Sequence, residues 1–229
     1  MRHIIKFESF INESRSRYDG ISSKLTKRVF KTWILDWKAG KKLSKYSESI
    51  ELNGLEFDLD ATLYFDKVNG TAIKNFQILG STGANSDSED EEGDYQTSYI
   101  IIDFAINSEW VPGYWQDIYM YLADAMRHEI EHITQGGENY RPGKPNDDDS
   151  VMRKLIQQGF LPEYQYLLLP KEVDANLQGL RFESKKRREP MIDAINRYLD
   201  IKSYSPKERE EILTAWRIRA KTIGGIPKF

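Results

Sequence analysis

Tyr99-Ile-Ile-Ile-Asp-Phe-Ala-Ile106 and Trp115-Gln-Asp-Ile-Tyr-Met-Tyr-Leu-Ala-Asp-Ala-Met-Arg-His128-Glu-Ile-Glu-His132 lie close together in the chain, and between them the hydrophobic period changes. The first stretch is short, apolar and rich in β-branched residues, which reads as a buried strand. In the second, Ile118, Leu122, Ala125 and, further on, Ile133 follow helix spacing, with Gly136-Gly137 as the stop. A strand therefore leads into a long helix, and the fold is read outward from that junction.

Upstream, Leu25, Val29, Trp33 and Trp37 recur every four residues and predict a helix from about Ser22 to Lys38 with one apolar stripe. Ile50 to Asp66 alternates, with Leu55, Phe57, Leu59, Ala61, Leu63 and Phe65 on one parity and Asn53-Gly54 as a turn inside the block. Asn69-Gly70 is a second turn, leading to a strand near Ile73 to Leu79. Residues 81–96, with the acidic run Ser86 to Asp94, read as a mobile, solvated loop. Downstream, Asn139 to Ser150 holds two Pro, one Gly and three consecutive Asp and reads as a loop. Helices are expected at about 150–158, 170–186, 191–199 and 205–222. Ser205-Pro206-Lys207-Glu208 opens the last of these with an N-cap, a first-turn Pro and a capping-box acid. Helix, then sheet, then helices is an α+β order.

The chain has 229 residues, 39% hydrophobic and 30% charged, which is long enough for a sizeable core. A single domain over 21–229 is expected, with 1–20 as an N-terminal leader or tail. The formal net charge of −3 gives no reason to expect a nucleic-acid partner. No apolar run is long enough to span a bilayer, so no membrane partner is expected either. Cysteine is absent, which excludes disulfides, Cys nucleophiles and thiolate metal sites. Any metal site must then draw on His, Asp, Glu or backbone groups.

Only three His occur, His3, His128 and His132, and two of them are four residues apart on the expected helix. At that spacing two side chains lie on one face, so both imidazoles can point at one ion. Glu129, beside them, can reach a metal-bound water without ligating the metal. A catalytic zinc takes three protein ligands and a water, lowers the water's pKa, and leaves a neighbouring carboxylate to take its proton. This is the mechanical content of His-Glu-x-x-His on a helix.

With His3 far off in the N-terminal tail, the third ligand must be an acid. The preferred one is Glu172, in Pro170-Lys-Glu172-Val-Asp-Ala-Asn-Leu-Gln-Gly179. Glu172, Ala175, Asn176 and Gly179 share a helix face that is small apart from its acid, which suits close approach of two helices around an ion. Val173, Leu177 and Leu180 form a separate apolar stripe. Asp174 falls with Gln178 and Arg181 on a solvent-type face. Asp174, Glu163 and Glu138 remain alternatives.

His128-Glu-Ile-Glu-His132 followed by Glu172-Val-Asp-Ala-Asn176 resembles the gluzincin group of metallopeptidases. The Glu-x-x-Ala-Asn pattern is closest to small zincins of the phage and mobile-element regulatory type. The resemblance spans about Tyr99 to Leu180. It implies a zincin-like fold, a twisted, mostly antiparallel sheet packed on the motif helix and followed by further helices. It implies a His128, His132, Glu172 zinc site with Glu129 as the catalytic base, and hydrolysis of a protein or peptide substrate. The substrate would pair with an edge strand, expected at Tyr99 to Ile106. Zincins often stabilise the oxyanion with a Tyr or His, and Tyr140, Tyr164 and Tyr166 lie in the spacer. Asp124, one turn before His128, is placed to orient a ligand imidazole. The basic run Arg181 to Arg188 reads as a helix end complementing the dipole.

Lys6-Phe7-Glu8-Ser9-Phe10-Ile11-Asn12-Glu13 is similar to the leaders of proteins packed into the heads of T-even-type tailed bacteriophages. Such leaders are cut by the prohead protease after Ile-x-Glu or Leu-x-Glu. The similarity implies a protein of the virion interior or host cytoplasm that meets the prohead protease and the capsid interior. The alternative to a peptidase is then a phage structural or head-interior protein with a structural or vestigial metal site. A packaging leader ending at Glu13 predicts that protein recovered from virions begins at Ser14. N-terminal sequencing that finds Met1 or Arg2 there counts against the leader.

Overall fold

A computed structural model describes residues 2–52, 55–65, 76–84, 98–106, 111–134, 148–223 and 225–229, with the backbone alone at 2–17, 76–84, 111–112 and 148–150. It forms two compact units, Ile21–Pro142 on the one hand and Met1–Gly20 with Gly143–Phe229 on the other.

The first unit is a four-stranded sheet with helices. Helix α1 spans Arg2–Lys38 and enters this unit at Ile21. Strands β1 (Leu43–Leu52), β2 (Leu55–Phe65), β3 (Phe76–Ala84) and β4 (Ser98–Ile106) follow, then helix α2 (Val111–Thr134). The strand order is β1-β2-β4-β3. β1 and β2 are antiparallel, β2 and β4 parallel, β3 and β4 antiparallel. The expected α+β class and the mixed, mostly antiparallel pairing are present.

Parity explains how the sheet presents its core face. Leu55, Phe57, Leu59, Ala61, Leu63 and Phe65 are all buried, and so are Ile100, Ile102, Phe104 and Ile106. The register puts Leu59 beside Ile100, Leu63 beside Phe104 and Phe65 beside Ile106. Side chains alternate across a strand, so both strands turn one apolar face the same way. The α1 stripe meets this core with Leu25, Val29 and Trp33 fully buried, and the Trp33 and Phe104 rings lie 5.2 Å apart. Trp37, the last member of the stripe, packs edge-on against Trp115 at 5.7 Å. Burying a side chain of this size contributes about 1.5–3 kcal/mol.

Four expectations need correction. The first helix starts at Arg2, not near Ser22, and the polar run Ser14 to Gly20 lies inside it. That run contains no proline, and Ser and Arg are tolerated within a helix. The helix ends as expected, in a Schellman turn. The Lys41 N–H donates to the Asp36 carbonyl at 3.1 Å, that of Gly40 to Trp37 at 2.9 Å, and Gly40 takes φ +73°. Second, the sheet begins at Leu43 rather than Ile50, because β1 is an edge strand whose polar alternation hides it. Third, β3 runs on to Ala84, so Ser81 to Ala84 are strand and not loop. Pairing with β4 carries these small residues where side-chain propensity does not. The rest of the acidic segment, like Asn69-Gly70, lies outside the described residues. Fourth, β4 is not an edge strand; it is paired on both sides, and β3 takes the edge next to it.

The second unit is helical over its described residues. After α3 (Asp148–Gln157) and a 3₁₀ turn (Glu163–Leu168) come α4 (Pro170–Arg187), α5 (Met191–Ile201) and α6 (Pro206–Ile223). Val173, Leu177 and Leu180 of α4 pack with Ala194, Ile195 and Leu199 of α5 and with Ile212 and Trp216 of α6. The Trp216 indole N–H donates to the Leu167 carbonyl at 2.9 Å, so this large ring is buried without an orphaned donor. The capping box of α6 forms as read, with the Ser205 N–H donating to Glu208 Oε2 at 2.8 Å. Among the described residues, no helix is long and apolar enough to cross a membrane.

The continuity of α1 is testable at Gly20. A Cβ built there meets nothing within 4 Å. Glycine in a helix interior is about 0.5–1 kcal/mol worse than alanine. Gly20→Ala should therefore raise stability by about that much in urea unfolding. A loss instead would mean that the helix breaks there.

Candidate metal centre

The rotation of α2 about its axis is set by its apolar face. Ile118, Leu122, Met126, Ile130 and Ile133 are fully buried, and the helix packs on β3 and β4. His128 and His132 share another face. Their Nε2 atoms are 3.1 Å apart and their ring centroids 4.8 Å, with the rings at 78°. Around a tetrahedral zinc, two imidazole nitrogens each ~2.0–2.1 Å from the ion stand ~3.3 Å apart. The observed spacing is close to that. Glu129 is buried beside them.

A second pair is interleaved with the histidines. Arg127 is fully buried, and its Nη2 lies 2.8 Å from Glu131 Oε2, one turn on. The sequence carries this signal openly, since Arg127 and Glu131 repeat the spacing of His128 and His132. The motif alone gives no reason to look for it. A buried guanidinium is tolerated only when its charge is matched, so Arg127 ties the helix turn that carries the first histidine.

Glu172 sits in the first turn of α4, where Pro170 opens the helix and the dipole favours an acid. It is 2% exposed. Arg153 Nη2 of α3 donates to its Oε1 at 2.5 Å and the Tyr166 hydroxyl to the same oxygen at 2.9 Å. Arg153 Nη1 also donates to the Tyr166 oxygen at 2.8 Å. Burial first, and then the Glu172 carboxylate, push the Tyr166 phenol well above its ordinary pKa, so it is a hydroxyl donor at neutral pH. Burial works against the Arg153 charge, but Glu172 and Tyr166 outweigh it and raise its pKa. Ala175, Asn176 and Gly179 are buried on the same face, and Asn176 Nδ2 donates back to the Glu172 carbonyl at 2.8 Å.

Each of His128, His132 and Glu172 offers a ligand atom of a type that zinc accepts, the histidines in the first unit and Glu172 in the second. The alternatives are elsewhere. Asp174 is held by Arg219, with Arg219 Nε and Nη2 each 2.6 Å from a carboxylate oxygen. Glu163 is exposed. Glu138 and Tyr140 lie outside the described residues. Tyr164 donates to Glu211 at 3.0 Å, whereas Tyr166 is the spacer tyrosine on the Glu172 carboxylate. Asp124 is half-buried one turn before His128.

The helix face assigned to solvent is in fact inside. Gln178 is fully buried, and Arg181 reaches Asp19 with Nη2 2.5 Å from Oδ1. The basic run is likewise matched within the unit. Arg187 Nε donates to Glu183 Oε1 at 2.6 Å, and Arg197 Nη2 to the same oxygen at 3.1 Å. No family model matches the chain, nor does any curated protein or solved structure.

The Asp174 pairing sets an expectation for stability. Arg219 is 44% exposed, and pairs open to water contribute about 0–1 kcal/mol. Asp174→Asn should lower unfolding stability by less than about 1 kcal/mol. A larger loss in a denaturant titration would give Asp174 a role that its pairing does not explain.

Proposed function

We propose that this chain is a zinc-dependent peptidase with a zincin-like arrangement, in which His128, His132 and Glu172 hold the ion and Glu129 is the catalytic base. The observation that carries the reading is the pairing of His128 and His132 on one helix face, Nε2 atoms 3.1 Å apart, with Glu129 buried beside them. Two imidazoles and a carboxylate suit zinc, and the Nε2 spacing of 3.1 Å suits two ligands on one ion. When bound, zinc polarises the scissile carbonyl and makes water a better nucleophile at neutral pH.

The remaining work falls to the chain. Glu129 takes a proton from the attacking water and delivers it to the leaving amine. A purely structural ion needs no such base. The Tyr166 hydroxyl donates its one proton to the Glu172 carboxylate and is engaged there. The substrate is an extended peptide laid along β3. This strand is the sheet edge next to β4, and α2 packs against both. The Lys6 to Glu13 resemblance supports carriage in a phage head.

The test pairs metal content with turnover. Wild-type protein should hold about one zinc per chain and cleave members of a peptide library. Glu129→Gln keeps size and hydrogen bonding but cannot take the proton. It should retain zinc and thermal stability while losing about 10²–10⁴ in rate. Glu172→Gln should lose zinc affinity as well, because a neutral amide is a poor zinc ligand. Cleavage by Glu129→Gln at the wild-type rate would remove the peptidase mechanism even with zinc present.

A further inference from the structure

Glu172 carries more than a third ligand needs. Two donors from two other elements converge on a single carboxylate oxygen, Oε1. The same guanidinium bridges to the phenol, so Arg153, Tyr166 and Glu172 close a hydrogen-bonded ring. The guanidinium carbon also lies 5.0 Å from the centre of the Tyr166 ring, which keeps the fork in place. A glutamate's last torsion is broad, and no rotamer well fixes which oxygen it presents. Two donors on one oxygen remove that freedom.

We propose that Arg153 and Tyr166 are positioning residues for the metal ligand, holding Glu172 Oε1 so that Oε2 alone is offered to zinc. The inference rests on the zinc reading above. Ligation through one oxygen keeps the protein at three ligand atoms and leaves the fourth position for water. Without the ring, Glu172 can turn and present both oxygens, which fills that position.

The competing account gives Arg153 the role of a counter-ion, and the two differ in sign. A guanidinium acting only through its charge repels a dication and competes for the carboxylate, so removing it should tighten zinc binding. A positioning residue should weaken binding when lost, and partners behind metal ligands typically matter by about 10–100-fold. Arg153→Met keeps the apolar stem and removes the fork. Tyr166→Phe removes one hydroxyl and should act in the same direction with a smaller effect.

The experiment measures zinc dissociation constants by competition with a chromophoric chelator, for full-length wild type, Arg153→Met and Tyr166→Phe. Visible spectra of the cobalt-substituted proteins accompany them. The expected result is about 10–100-fold weaker zinc binding in Arg153→Met. Its cobalt bands should lose intensity as coordination rises from four to five. Zinc binding as tight as wild type or tighter, or an unchanged cobalt spectrum, overturns the proposal. Should Arg153→Met fail to fold, Tyr166→Phe carries the same test of sign. Wild-type protein that binds no zinc removes the metal reading and this inference together. Failure of the inference alone leaves wild-type zinc binding intact.

Discussion

A helix laid on a sheet can rotate about its axis, and here the apolar face of α2 forbids it. Ile118, Leu122, Met126, Ile130 and Ile133 are all fully buried. Turning the helix by even one residue, about 100°, would pull several of them into water, at about 1.5–3 kcal/mol each. With the rotation fixed, the histidine face is fixed as well. The Nε2 atoms stand 3.1 Å apart because the backbone spacing and the core leave the rings little choice. The interleaved Arg127–Glu131 pair, 2.8 Å long, adds a polar constraint on the same turns. The motif is therefore a consequence of packing as much as of residue identity.

This explains what the sequence disclosed and what it did not. His128, Glu129 and His132 were legible because helix spacing alone places them. Glu172 was legible for a related reason, since a small face on a Pro-started helix singled out one acid. Its partners were not legible. Arg153 is 19 residues away on α3 and Tyr166 lies on a separate 3₁₀ turn, so only the tertiary fold brings them to one oxygen. The strand alternation gave β2 and β4 nearly to the residue. It could not give the strand order, because a buried interior strand and a half-buried edge strand share one period. The polar edge strand β1 and the Gly-containing end of β3 were missed for the same reason, as neighbours hold them and propensity does not.

The same helix α4 carries a second buried acid, and the comparison shows why the metal reading falls on Glu172. Glu183 faces two cations, with Arg187 Nε at 2.6 Å and Arg197 Nη2 at 3.1 Å. Arg197 is shared with Glu189, so the cluster is balanced in charge, but a dication brought to Glu183 would meet two guanidiniums. Glu172 faces one cation and a neutral phenol. The phenol adds orientation without adding positive charge. Asp174 is held by two nitrogens of Arg219, Nε and Nη2, and has both oxygens engaged. Glu172 and Glu183 are both held at Oε1, and they differ in that the second partner of Glu172 is a neutral phenol rather than a guanidinium. Spacing nominates several acids, and charge matching selects among them.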